Sequence, residues 1–163
     1  TIAEGGIVAI KGIGGFHLCC DASNEGAVSR LRQLKRRPMK PFAVMAKDPE
    51  VVRKECEVSA EQSKILDGHQ KPILLLDKKK EAEILCPSVA PGNPKVGVML
   101  PYAPVQLLIF TYDDGIEMPE FLVMTSGNIS GAPICRDDRE AEADSATACC
   151  PMTARSVSAQ TIL

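Results

Sequence analysis

The chain has 163 residues, 45% hydrophobic and 25% charged, enough to bury one core without disulfides or a structural metal. A formal net charge of −2 argues against a general polyanion binder. No apolar run approaches the ~18 residues needed to span a bilayer, so a membrane-spanning segment is not expected.

The first residues, TIAEGGIVAI, lack the cationic start of a secretory signal and read as a chain entering mid-domain; a segment of a larger protein is expected. Gly5–Ile10 reads as a buried strand, GIGG as a turn and FHLCC as a second short strand. Ser23 is placed to cap a helix running to about Lys35, with Ala27, Val28, Leu31 and Leu34 on one face. Pro38 stops that helix, because proline cannot continue the hydrogen-bond ladder and disfavours helix in the residue before it.

PFAVMA is the next strand. Asp48-Pro49 then supplies an N-cap with proline at the first helical position, and Ser59 with Gln62 makes a capping box for a helix through Leu66. KPILLLD is an apolar strand followed by the charged loop KKKEAE, and VGVML is a strand inside a Pro/Gly-rich approach. VQLLIF is ambiguous between helix and strand, while FLVMTSGNISG reads as a buried strand emptying into a polar loop. Strands alternating with helices predict an α/β sheet, mixed rather than wholly parallel.

The seven cysteines (Cys19, Cys20, Cys56, Cys86, Cys135, Cys149 and Cys150) include no C-x-x-C pair, and the only histidines are His17 and His69. No zinc site is expected; an odd cysteine count fits a reducing compartment, so a cytoplasmic location is expected.

Arg30, Arg32, Lys35, Arg36, Arg37 and Lys40 fall within eleven residues that contain no acid. If the chain is extended there, Lys35 and Arg37 point the same way and form a phosphate clamp, an ammonium beside a bidentate fork. The alternative is a solvated helix C-terminus, where cations meet the dipole favourably. TSGNISGAP (Thr125–Pro133) offers hydroxyl and amide groups and close backbone approach to a polar ligand; a simple Ser/Asn/Gly turn is its alternative. KGIGGFH (Lys11–His17) matches neither a P-loop nor a dinucleotide-binding fingerprint, and its His17, set among apolar residues, reads first as a satisfied core histidine and only second as a ligand.

Taken in order, a strand with a Gly turn, L-K-x-R-P at a helix end and a strand ending in S-x-N resemble the YrdC-like family, which makes acyl or carbamoyl adenylates from ATP. The segments IVAIKGIGGFHLCCDASNEGAVSRLRQLKRRPMKPFAVM, VAPGNPKVGVMLPYAPVQLLIF and LVMTSGNISGAPI resemble in particular the YrdC-like domain of HypF carbamoyltransferases of nickel–iron hydrogenase maturation. The likeness runs over about residues 5–140.

The resemblance implies a single YrdC-like domain over 1–163: an open, twisted mixed sheet with flanking helices and a concave basic nucleotide-binding face. It implies carbamoyl-adenylate formation from ATP, with Mg²⁺, and carbamate drawn from carbamoyl phosphate, releasing pyrophosphate. HypE would be the downstream carbamoyl acceptor through the full-length protein. Lys35 and Arg37 match the family's K-x-R and carry the implied catalytic role; with Lys40, Ser126 and Asn128 they are the implied nucleotide site. Lys11, Gly14, Gly15 and His17 match the HypF form of the first loop and would line the carbamate end.

Two departures stand out. Gly127 replaces the family's usual Ala between Ser and Asn and is expected to be tolerated. The tail from about residue 143, EADSATACCPMTARSVSAQTIL, lacks the family's arginine-bearing continuation and is of the kind a shifted reading frame produces. Rival functions are threonylcarbamoyl-adenylate synthesis for tRNA modification, double-stranded RNA binding, and a catalytically silent domain. The acidic balance counts against strong non-specific RNA affinity.

Overall fold

The computed structural model describes residues 1–113 and 115–128, and the backbone of 157–159. Among the described residues twelve elements follow one another: β1 (Ile7–Gly12), β2 (Gly15–Asp21), α1 (Glu25–Leu34), β3 (Ala43–Ala46), α2 (Pro49–Glu55), α3 (Ala60–Asp67), β4 (Leu74–Asp77), a 3-10 turn (Pro87–Val89), β5 (Lys95–Met99), α4 (Pro104–Thr111), β6 (Phe121–Ser126) and β7 (Val157–Ala159). The strands form one sheet in the order β4-β5-β3-β6-β2-β1-β7. It is mixed, as expected: β3 pairs parallel with β5 and β1 with β7, and the other neighbours are antiparallel.

Period-two alternation divides the strand side chains between two apolar layers. Phe121 and Val123 of β6 join Val28, Leu31, Phe42, Val44 and Val98 in one layer, beneath α1, α2 and α3. Leu122 and Met124 join Val8, Ile10, Met45, Met99 and the Phe110 of α4 in the other. The adjacent Cys19 and Cys20 fall into opposite layers, so they cannot pair with each other. Burial holds both as neutral thiols, the Cys20 pKa being pushed up to about 12. Cys56 and Cys86 are also buried and free, each raised to about 12 by burial first.

Local chemistry sets most element ends as anticipated. The Asp48 carboxylate accepts the Val51 N–H at 2.9 Å, and Ser59 and Gln62 close a reciprocal capping box. The cap of α1, however, is Asn24, whose Oδ1 accepts the Ala27 N–H at 3.0 Å. Ser23 is unavailable because its N–H and hydroxyl both donate to Asp21 Oδ1, at 2.8 and 2.7 Å. The ambiguous VQLLIF segment is helical: Pro104 opens α4, and Gln106 Oε1 folds back to accept the Tyr102 and Ala103 N–H groups.

Two further differences bear on the first loop and the tail. β1 runs on through Lys11 and Gly12, so the turn is the two-residue hairpin Ile13-Gly14 with Gly12 opposite Gly15. The reading of a tail without periodicity had no place for β7, which adds to the β1 edge. Apart from that backbone, the atypical tail and its reading-frame explanation lie outside the described residues.

Candidate active site

The end of α1 shapes the site. Arg37 N–H donates to Arg32 O and Arg36 N–H to Gln33 O, each at 3.0 Å, closing a Schellman motif. Arg36 occupies its left-handed position at φ 49°, where glycine is usual. The helix therefore ends at Leu34, four residues before Pro38, and the chain reverses sharply instead of running extended. Lys35 and Arg37 consequently face different surroundings.

Lys35 is buried, at 3% exposure. Its ammonium donates to Ser126 O, to Asn128 O at 3.0 Å and to Asn128 Oδ1 at 3.2 Å. Asn128 Oδ1 also accepts the Ser126 hydroxyl at 2.5 Å. The K and the S-x-N of the sequence thus form one polar cluster at the end of the central strand β6.

Gly127 lies tight against β2 at this closure. Its N–H donates to Phe16 O at 2.6 Å, and a Cβ there would lie 2.9 Å from both Phe16 Cβ and Phe16 O. The expectation of tolerance is thereby refined: glycine serves close approach to β2, beyond adding backbone freedom.

His17 sits directly across from Ser126 in the β2–β6 ladder. Its pKa is held below 6.5, mainly by burial and further by the Lys35 charge, against the raising effect of a hydrogen bond the ring donates to the Gly15 backbone. A neutral imidazole therefore borders the cluster at neutral pH. The hairpin that carries it is turned by Gly14 at φ +92°. Lys11 extends from the same hairpin with its ammonium 5.3 Å from the centroid of the Phe16 ring.

Arg37 turns toward its own loop. Its Nε donates to Lys40 O at 3.1 Å, Nη2 donates to Pro41 O, and its guanidinium lies 4.9 Å from the Phe42 ring centroid. Nη1 makes no hydrogen bond among the described residues, leaving one edge of the fork for a ligand. The Lys40 side chain is exposed. Of the remaining basic run, Arg30 reaches Gly5 O and Arg36 faces solvent.

Arg32 was counted in the sequence only as one cation among six. It is buried, contacts five main-chain carbonyls and lies 4.7 Å from the same Phe42 centroid. Its place on the buried face of α1, beside Leu31, was the available signal.

The Sua5/YciO/YrdC family model, described as Telomere recombination, matches residues 1–151. The chain belongs to the Sua5/YciO/YrdC family. Within that family it is homologous to the YrdC-like domain of HypF. It is 44% identical over 141 residues to the carbamoyltransferase HypF of Synechocystis sp., a match covering 86% of this chain and 18% of that protein. A crystal structure of full-length HypF in the phosphate- and nucleotide-bound form superposes with a TM-score of 0.80 at 48% identity, over 88% of this chain and 18% of that one. P. abyssi Sua5 complexed with L-threonine shares the fold, with a TM-score of 0.73 at 23% identity over 88% of this chain and 41% of that one. The chain thus spans about one fifth of the HypF relatives it matches.

Chemically, Lys35, Arg37, Ser126 and Asn128 bring together a buried ammonium, one open guanidinium edge, a hydroxyl and a carboxamide, with the neutral imidazole of His17 beside them. With the ammonium and the Ser126 hydroxyl donating within the cluster, this set meets anionic oxygens chiefly through charge and the open edge of Arg37. Among the described residues no three His, Cys, Asp or Glu side chains gather to hold a metal. Among the same residues no helix is long and apolar enough to cross a membrane.

Proposed function

We propose that this domain binds ATP at Lys35, Arg37, Lys40, Ser126 and Asn128 and adenylates carbamate. The observation that carries the reading is the Lys35 ammonium held against Ser126 and Asn128, which draws the two family motifs into one cluster. A carbamate oxygen attacks the α-phosphorus as the bond from that phosphorus to the β-phosphate's bridging oxygen breaks. Carbamoyl-adenylate forms and pyrophosphate leaves.

Negative charge grows on the departing pyrophosphate, and the fixed cations Lys35 and Arg37 stabilise it more in the transition state than in the ground state. Mg²⁺, held by the nucleotide phosphates beside Lys35 and Arg37, would supply further charge neutralisation. Ser126 and Asn128 orient phosphate or acyl oxygens. The hairpin residues Lys11, Gly14, Gly15 and His17 line the carbamate end, where a neutral His17 can donate or accept a hydrogen bond. In the longer protein, carbamoyl phosphate supplies the carbamate and HypE receives the carbamoyl group.

ATP–pyrophosphate exchange, run in parallel with carbamate, carbamoyl phosphate and threonine, tests the reading. Exchange with carbamate but not threonine is expected. Because free carbamate decomposes quickly, carbamoyl phosphate is supplied together with a source of the missing upstream activity. Threonine-dependent exchange would instead assign threonylcarbamoyl-adenylate synthesis, and RNA binding with a steep salt dependence in place of ATP binding would assign the nucleic-acid alternative.

A further inference from the structure

We infer that Arg32 is the positioning residue of the phosphate-binding loop and acts through Arg37. This rests on the nucleotide reading given above. Arg32 Nη1 donates to Arg37 O at 2.8 Å and to Pro38 O and Lys40 O at 3.2 Å, so one guanidinium nitrogen gathers three carbonyls of the loop that carries both candidate phosphate ligands. On its other side Nε donates to Ser88 O at 2.5 Å and Nη2 to Val89 O at 3.1 Å. That 3-10 turn is itself tied to the start of α1, where Glu25 accepts the Ser88 N–H at 3.2 Å and the Ser88 hydroxyl. The loop is therefore suspended from a braced anchor.

The link to Arg37 is direct. Lys40 O accepts from both guanidiniums, and both lie within 5 Å of the Phe42 centroid, at 4.7 and 4.9 Å. Burying one guanidinium close to another is unfavourable: desolvation lowers the Arg32 pKa, and the Arg37 charge lowers it further. An apolar side chain would avoid that cost but could not satisfy carbonyls arriving from two directions. The arrangement fixes the azimuth of Arg37, with Nε and Nη2 committed to loop carbonyls and Nη1 left for phosphate. A lysine at position 32 would keep the charge but has one nitrogen where three are used.

Isothermal titration of ATP into the wild-type chain, Arg32→Lys, Arg37→Ala and the double variant tests this. Arg32→Lys is expected to weaken ATP binding about tenfold or more, as misplacement of a ligand-positioning group does. The double variant is expected to bind within about twofold of Arg37→Ala alone, because both changes remove the same contact. Wild-type affinity in Arg32→Lys, or a double-variant loss equal to the product of the two single losses, overturns the inference. If Arg32→Lys does not fold, Arg32→Gln, which keeps a donor amide without the buried charge, replaces it in the same cycle, with the same outcomes. Loss in Arg37→Ala without loss in Arg32→Lys sinks this inference alone. An Arg37→Ala variant that binds normally, or a wild-type chain that does not bind ATP, sinks the nucleotide reading and this inference with it.

Discussion

The Lys35 ammonium lies 3.2 Å from the Asn128 side-chain oxygen, although 93 residues separate the two along the chain. Contact across that separation exists only because β6 is threaded between β2 and β3, which brings the polar end of FLVMTS beside the close of α1.

Lys35→Ala is expected to slow ATP–pyrophosphate exchange about a hundredfold, about 3 kcal/mol of lost transition-state stabilisation. Exchange at the wild-type rate would rule out a catalytic role for the ammonium.

Gly127→Ala forces a methyl against the Phe16 main chain, which cannot swing aside as a side chain would. A stability loss of about 1–3 kcal/mol is expected from overpacking, read as a lower urea midpoint at unchanged m-value. An unchanged midpoint would mean that the β2–β6 approach relaxes freely.

Arg36→Gly should act in the opposite direction. The residue is exposed and held at φ 49°, so glycine relieves a left-handed penalty of about 0.5–1 kcal/mol. A higher melting temperature with unchanged ATP affinity is the expected pair of results, since Arg36 has no part in the proposed site.

His17 makes stability depend on pH with a defined sign. Its folded pKa lies below the 6.5 of the unfolded chain, so the unfolded state takes up the proton first. The contribution is fully present above 6.5, is lost as pH falls through the folded pKa, and changes no further below it. Unfolding free energies of wild type and His17→Gln, compared between about pH 7.5 and pH 5, should show the wild type losing more on acidification. Parallel pH profiles would contradict the burial of the ring beside Lys35.

Features governed by neighbouring residues were legible in the sequence. The Asp48-Pro49 and Ser59–Gln62 caps depend on hydrogen bonds spanning three residues, and the alternating strands announce their two layers. Where a second local partner competes, legibility falters: Ser23 has the right chemistry for a cap, but Asp21 claims it. Arg36 carries no mark of its left-handed conformation, since only glycine advertises one. The joining of Lys35 to Ser126 and Asn128 came from recognition of family motifs, because no spacing rule connects residues that far apart. Arg32 is hidden in the sequence because a charge on a helix normally signals solvent, and its five acceptors are carbonyls that every residue possesses.

The threading of β6 also sets a schedule for biosynthesis. β2 and β3 leave the ribosome early yet do not touch each other in the sheet; each waits for a strand that emerges some seventy-five or more residues later. Until that strand inserts, a nascent chain holds Lys35 with nothing to grip and a vacant slot bordered by two unpaired edges. The proposed nucleotide site is therefore missing from incomplete chains, and the same interval leaves the polypeptide most exposed to mispairing.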